Sequence, residues 1–152
     1  MILNRQRRVP VDIKPLGNFL GRVLGSLRLR ESEVTVCLVS DAAMARLNRA
    51  FRGKRGPTDV LSFPANGAPP KRRTRRAGKH RAGIAPAFYL GDIAISLETA
   101  RRNARRFSRG LPEELRVLIL HGVLHLAGYD HEIDQERMER LEGRLRRRLG
   151  LH

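Results

Sequence analysis

Three histidines, His121, His125 and His131, lie within eleven residues near the carboxyl end of the chain. Four residues along an α-helix correspond to about 400° of rotation and about 6 Å of rise, so His121 and His125 would share one helix face. Both imidazoles could then reach a single metal ion. If the same helix continued, His131 would lie about 120° away from that face. The spacing therefore predicts that the helix ends between the second and third histidines.

The residues between His125 and His131 favour a chain reversal. Gly128 is the residue type that adopts the left-handed conformation at a helix end at least cost, and Tyr129 and Asp130 can form a returning turn. Three neutral imidazoles with an open fourth position are the ligand set of a catalytic zinc site. Iron, nickel or copper would accept the same donors, but this pattern favours one zinc ion per chain. The alternative, a purely structural helix, would bury several imidazoles without partners, which is costly.

The same spacing matches a metalloprotease pattern. The metzincin motif His-Glu-x-x-His-x-x-Gly-x-x-His agrees with this chain at the three ligands and at the glycine. Where those proteases carry the glutamate that acts as general base, this chain has Gly122, which cannot accept a proton. A metal-dependent peptidase therefore remains an alternative, and Gly122 argues against it.

Hydrophobic periodicity predicts the elements that must position these residues. Helices are expected at 12–29, 41–51, 97–107, 112–127 and 134–149. Strands are expected at 33–40, 59–63 and 89–96, the second of them stopped by Pro64. Ser40 or Asp41 is placed to cap the second helix. The fourth helix would carry His121 and His125.

Composition limits the class of protein. The chain has 152 residues, 31 Lys plus Arg and 15 Asp plus Glu, which give a formal net charge of +16. This length suits one domain, and the charge predicts a polyanionic partner. Nucleic acid is favoured over a membrane, because the most apolar stretch, 117–128, is too short to span a bilayer and no lipidation motif is present. The single Cys37 and the lack of a secretory signal at the N-terminus predict a cytoplasmic protein.

The segment 65–87 is rich in Gly, Ala, Pro, Lys and Arg and contains no acidic residue. We expect a mobile basic loop. It would be either a solvated linker or an arm laid along phosphates. It has no interleaved aromatic residues for base stacking, so no sequence-specific recognition is expected from it.

Three blocks of the sequence resemble the YbeY family of bacterial endoribonucleases. His121-Gly-Val-Leu-His-Leu-Ala-Gly-Tyr-Asp-His131 is similar to the family signature, and the blocks Phe51–Pro64 and Leu90–Ser96 agree in order. The resemblance covers about 31–142. It implies a single α/β domain with a small mixed β-sheet packed by about five helices, and a metal site at the end of a central helix. It also implies zinc held by the three histidines and a role for Arg52, which matches a functionally important arginine of the family.

Charged residues around these blocks have expected roles. A guanidinium can hold two phosphate oxygens, which gives Arg52 a task in phosphodiester cleavage. Asp59 and Asp92 are expected to cap turns or brace strands. Asp130 and Glu132 are candidates for orienting an imidazole from behind, as metal-bound histidines usually require.

The resemblance implies a zinc-dependent, single-strand-specific endoribonuclease that matures the 3′ end of small-subunit (16S) ribosomal RNA and acts in ribosome quality control. Its partners would be ribosomal RNA, the small subunit and ribosome assembly proteins, with no membrane and no DNA specificity. Two alternatives remain open: the peptidase-like hydrolase above, and a non-catalytic, zinc-stabilised ribosome assembly factor.

Overall fold

A computed structural model describes residues 1–65, 88–129 and 131–151, and it describes no side chains for 131–134. Apart from Ala65, the predicted basic loop 65–87 lies outside the described residues. No helix within the described ranges is long and apolar enough to cross a membrane.

The described chain contains four strands and five helices. The strands are β1 (Ile2–Asn4), β2 (Ser32–Val39), β3 (Val60–Pro64) and β4 (Phe88–Ser96). The helices are α1 (Ile13–Ser26), α2 (Asp41–Arg52), α3 (Leu97–Arg106), α4 (Leu111–Leu126) and α5 (His131–Arg148). All five predicted helices and all three predicted strands are confirmed, with ends that differ by a few residues.

The strands form one mixed sheet in the order β1-β2-β4-β3. β1 pairs with β2 and β2 pairs with β4 in parallel, whereas β3 pairs with β4 in antiparallel fashion. The predicted small mixed sheet packed by five helices is therefore confirmed. β3 forms one border of this sheet, next to the two helices that carry the candidate site residues.

Side-chain alternation along the central strands sorts two apolar clusters onto the two sheet faces. Val36 and Ile93 belong to the larger cluster, which also contains the apolar faces of α1, α4 and α5. Ala94 belongs to a smaller cluster with Met44 of α2 and Leu61 of β3. Helices thus cover both faces, as is usual for sheets with parallel central strands.

One strand is absent from the sequence prediction, and among the ends that shift are those of β3, α1 and α5. β1 was not predicted, because three residues are too short to show alternation and its pairing with β2 defines it. Pro64 does not stop β3 but is its last residue, opposite Gly91. A proline is tolerated there because β3 is an edge strand.

The other two differences concern helices. α1 ends three residues early, because Arg28 adopts a left-handed φ of 59° and Leu29 N–H donates to Leu24 O at 2.7 Å. This is a Schellman ending without the usual glycine, so no residue type announces it in the sequence. α5 begins at His131, three residues before the predicted start.

Candidate metal centre

The first two histidines of the motif meet on one face of α4. The Nε2 atoms of His121 and His125 are 3.0 Å apart, and the ring centroids are 4.6 Å apart. Both side chains are half-buried. The four-residue spacing thus has the effect expected from the helical repeat, and both ring nitrogens face the same point.

This geometry fits a shared metal ion. Two nitrogens that each lie about 2.0 to 2.1 Å from one tetrahedral ion are separated by about 3.3 Å. The observed separation of 3.0 Å is close to that value, so the pair needs only a small adjustment to bind one ion. Imidazole nitrogens suit zinc and also iron, nickel and copper.

Glu142 of α5 lies behind this pair. Its Oε1 is 3.5 Å from Nδ1 of His121, and its side chain is only 15% exposed. A carboxylate on Nδ1 leaves Nε2 free of the ring proton and directs it toward a metal. Sequence reasoning assigned this orienting role to Asp130 and Glu132, whose side chains lie outside the described residues, and missed Glu142. The signal was present: around α5, Glu142 lies only about 40° from the buried Met138.

The predicted chain reversal after His125 is confirmed. Gly128 has a left-handed φ of 96°. Its N–H donates to His125 O at 3.1 Å, and Tyr129 N–H donates to Leu124 O at 3.0 Å. These two bonds form a Schellman motif, which satisfies the last carbonyls of α4 and turns the chain toward α5.

The third histidine stays a prediction. His131 is the first residue of α5, but its side chain is not described. Among the side chains that are described, no group of three or more His, Cys, Asp and Glu residues is placed to hold a metal. The structure therefore brings two of the three predicted ligands together and does not test the third.

Gly122 lies against the central strand. A Cβ at this position would lie 2.8, 2.9 and 3.1 Å from three side-chain atoms of Ile93. The hydroxyl of Ser62 in β3 donates to Gly122 O at 3.2 Å. A side chain at this position would therefore crowd Ile93, and Gly122 supplies no general base of the metzincin kind. The packing weighs against the peptidase alternative.

Arg52 is the last residue of α2 and is exposed. The loop after it is held back on the helix, because the buried Asn48 donates from Nδ2 to Gly56 O at 2.9 Å. Among the described hydrogen bonds and ion pairs, none joins Arg52 to His121 or His125. Within the described residues, the connection between the end of α2 and the histidine helix runs through a third element.

That element is β3, which contacts both helices. Ser62 bonds to α4 beside His121, as described above. The next residue, Phe63, points to the other sheet face, where its ring lies 5.0 Å from that of Phe51 in an edge-to-face contact. Since Phe51 precedes Arg52, the end of α2 and the histidine helix lie on the two sides of one edge strand. Phe51 is 67% exposed, and sequence reasoning did not single it out.

A polar cluster fixes the other end of α2. One carboxylate oxygen of Asp41 accepts from Ser96 Oγ at 2.5 Å and from Thr99 Oγ1 at 2.6 Å, and the other accepts from Arg102 at 2.8 Å. Burial alone would raise the pKa of Asp41, but these hydrogen bonds and the Arg102 charge hold it below its ordinary value. Asp41 therefore links α2 to α3 as an ionised carboxylate. Ser40 caps α2 as predicted, accepting from Ala43 N–H at 3.2 Å.

The two other acidic residues considered from the sequence make bracing contacts. Asp59 accepts from Val60 N–H at 2.8 Å and from Asn103 Nδ2 at 3.2 Å, which ties the start of β3 to α3. Asp92 accepts a hydrogen bond from the Tyr89 hydroxyl on the same strand. Both contacts agree with a structural role.

Comparison with known proteins gives consistent results. The family model described as Endoribonuclease YbeY matches residues 1–150. Endoribonuclease YbeY of Pelotomaculum thermopropionicum is 42% identical over 157 aligned positions, which cover 99% of this chain and 97% of that protein. The Koribacter versatilis protein of the same name is 41% identical over 99% of this chain and 86% of its own length.

One more relative and one solved structure are also similar to this chain. Endoribonuclease YbeY of Solibacter usitatus is 46% identical, and the match spans 75% of this chain and 64% of that relative. The solution structure of TM1509 from Thermotoga maritima superposes with a TM-score of 0.60 at 28% identity, covering 95% of this chain and 85% of that one. The chain therefore belongs to the Endoribonuclease YbeY family and, as its sequence predicts, is a hydrolase that acts on the phosphodiester bonds of RNA.

Proposed function

We propose that this protein is a zinc-dependent endoribonuclease that cleaves single-stranded RNA, with residues 1–152 forming one catalytic domain. Its substrate would be precursor ribosomal RNA near the 3′ end of the small-subunit (16S) molecule, and it would act in ribosome quality control in the cytoplasm. The small subunit and ribosome assembly proteins would be its partners. The observation that carries the proposal is the convergent imidazole pair of α4, with Glu142 behind it and the Arg52 end of α2 across β3.

In this proposal His121, His125 and His131 hold the metal. Zinc bound there would supply a Lewis acid for the phosphoryl oxygens of the scissile bond. Glu142 keeps the ring of His121 in the orientation that directs Nε2 to the ion. Two of the three ligand nitrogens thus come from α4, whose position against the sheet is held by contacts with Ser62 and Ile93.

Arg52 and Phe51 would bind the substrate on the other side of β3. The planar guanidinium of Arg52 can hold two phosphate oxygens and offset the negative charge that develops during cleavage. The exposed ring of Phe51 offers a stacking surface for one unpaired base. Unpaired bases are accessible only in single strands, which agrees with the proposed substrate.

The central experiment combines metal content with activity. Elemental analysis of the purified chain should find one zinc ion per molecule, and removal by a chelator should abolish cleavage of a labelled single-stranded RNA until zinc is restored. The variants His121→Ala and His125→Ala should lose both the ion and the activity while keeping their far-ultraviolet circular dichroism and RNA binding. Retention of cleavage by either variant would contradict the proposal.

The same experiment separates the non-catalytic alternative. A zinc-loaded chain that binds RNA but never cleaves it would be an assembly factor whose metal is structural. Loss of folding in His121→Ala would point the same way.

The role of Arg52 has a matched control on its own helix. Arg46 is also exposed on α2, six residues earlier. Arg52→Ala should lower kcat by about 10²-fold or more, as does removal of a group that stabilises transition-state charge, whereas Arg46→Ala should change kcat little. Equal effects of the two substitutions would leave Arg52 with no role beyond net charge.

A further inference from the structure

One face of α5 carries a row of arginines. At about 100° per residue, positions 137, 140, 144 and 147 fall within a sector of about 80°. All four side chains are exposed. We call this row the α5 arginine stripe; its members are Arg137, Arg140, Arg144 and Arg147. At about 1.5 Å of rise per residue the stripe is about 15 Å long.

The stripe lies on the side of α5 away from the histidines. Glu142, which contacts His121, is rotated by about 180° from the middle of the stripe. Met138 and Leu145 are buried on the intervening face. Any ligand on the stripe is therefore separated from the candidate metal centre by the helix itself.

Surface depressions accompany the stripe. The four arginines, with Glu139 and Gly143, line a depression of about 680 Å³. The end of α5 also borders a second depression of about 570 Å³, where Arg148 meets Arg22 and Arg30 from α1 and the segment after it. Neither depression includes His121 or His125.

The charge of this surface is one-sided. The two depressions are lined by seven arginines and a single carboxylate, Glu139, which accepts a hydrogen bond from Gln135 at 3.0 Å. Arg140 also lies 3.3 Å from Glu136, but both side chains are largely exposed, so water screens this pair. Arginines therefore outnumber carboxylates seven to one in the lining, and this surface carries a net positive charge.

The side chains of this surface distinguish between two anionic partners, a nucleic-acid backbone and a lipid membrane. Guanidinium groups hold phosphate oxygens in pairs, and a row of them suits a phosphate backbone. A helix that binds an anionic membrane also needs large apolar side chains to insert. Within the described part of the chain, none of the large exposed apolar residues lies on α5. A nucleic-acid backbone therefore fits better than a lipid surface.

From this arrangement we infer that the α5 arginine stripe is a second RNA-binding surface, which holds the phosphate backbone of the substrate RNA at a distance from the cleavage site. The inference rests on the proposed function for the identity of the nucleic acid. In this inference α5 contributes to the affinity for RNA, and cleavage takes place at the histidine centre.

The test measures equilibrium binding of a 30-nucleotide single-stranded RNA by fluorescence anisotropy at several salt concentrations, in EDTA. The variant is Arg140→Gln/Arg144→Gln/Arg147→Gln. Its matched control, Arg46→Gln/Arg101→Gln/Arg105→Gln, removes three exposed arginines from α2 and α3 and so changes net charge equally.

Each lost phosphate contact on a single strand should reduce the slope of log K against log salt by about 0.7, so the stripe variant should lose about 2 in slope. The control variant should lose less than about 0.7 in slope. Equal losses in the two variants would overturn the inference, because net charge alone would then explain them. The single variant Arg144→Gln, which should lose about 0.7 in slope, gives the same test if the triple variant does not fold.

Because binding is measured without cleavage, the result does not depend on whether the histidines are catalytic. A stripe that binds RNA in a protein that cleaves none would leave the inference standing and refute the proposed function. If vesicles rich in phosphatidylserine bind the parent chain more tightly than RNA does, and the stripe variant abolishes this binding, the partner is a membrane and the inference fails.

Discussion

Replacement of Gly122 by alanine tests the packing that fixes the histidine helix. Taken alone, a Gly to Ala change inside a helix stabilises it by about 1 kcal/mol. Here the new methyl group would lie 2.8, 2.9 and 3.1 Å from atoms of Ile93, which is completely buried. The helix cannot move away from the sheet easily, since Ser62 of β3, which lies opposite Ile93 in the sheet, bonds to Gly122 O. We therefore expect the clash to outweigh the gain in helix propensity.

The expected size follows from overpacking of a core, which costs about 1 to 3 kcal/mol. Subtracting the gain in helix propensity of about 1 kcal/mol leaves a net loss of up to about 2 kcal/mol. For a chain of this length, each kcal/mol shifts Tm by about 2 to 4 °C, so Gly122→Ala should lower Tm by up to about 8 °C. The measurement is thermal unfolding followed by circular dichroism.

Gly21 of α1 is the matched control. A Cβ there would meet nothing within 4 Å, so Gly21→Ala should raise Tm slightly. Combining Gly122→Ala with Ile93→Ala should destabilise less than the sum of the two single changes, because the removed side chain makes room for the added methyl group. The reasoning would be refuted if Gly122→Ala raised Tm as Gly21→Ala does.

Three further predictions address the site, the fold and the substrate. Glu142→Gln should weaken zinc binding by about 10-fold in a competition assay with a chromophoric chelator. Glu139→Gln, an exposed change on the same helix, should leave zinc binding unchanged. Equal zinc affinities in the two variants would show that Glu142 has no role in the site. Asp41→Asn should cost about 1 to 3 kcal/mol in urea unfolding at pH 7. Because the pKa of Asp41 is lowered on folding, its ionised carboxylate stabilises the fold above its unfolded-state pKa, and this stabilisation is lost as the pH falls through the folded-state pKa. The difference in free energy of unfolding between parent and variant should therefore disappear in acid. A difference that is constant with pH would contradict this. Phe51→Ala should weaken binding of single-stranded RNA by about 1 to 3 kcal/mol. Phe107→Ala, which also removes an exposed ring at a helix end, should have a smaller effect. Similar losses of binding in the two variants would mean that the position of the ring is unimportant.

Local rules were enough to predict much of the site. The pairing of His121 and His125 follows from the helical repeat alone, and the reversal after them follows from the conformational freedom of Gly128. Ser40 was recognisable as a cap because its hydroxyl precedes an apolar helical pattern. Each of these features depends on residues that are close together in the chain.

Contacts between distant segments account for what the sequence did not predict. Glu142 reaches His121 only because α5 packs on α4, and the contact of Phe51 with Phe63 requires β3 to be placed beside α2. Long-range packing decides these two features, and a single sequence does not display it. The early end of α1 is a local feature, but it falls on Arg28, a residue type that seldom takes a left-handed φ.

Ser62 and Phe63 are adjacent in β3 and contact helices on opposite faces of the sheet. Neighbouring residues of a strand point to opposite faces, so one peptide unit separates the contact with α4 from the contact with α2. An insertion or deletion of one residue early in β3 would exchange the two faces and turn the hydroxyl toward α2 and the ring toward α4. Both contacts would then be lost in a single event, so in this segment a change of length is more damaging than most changes of residue type.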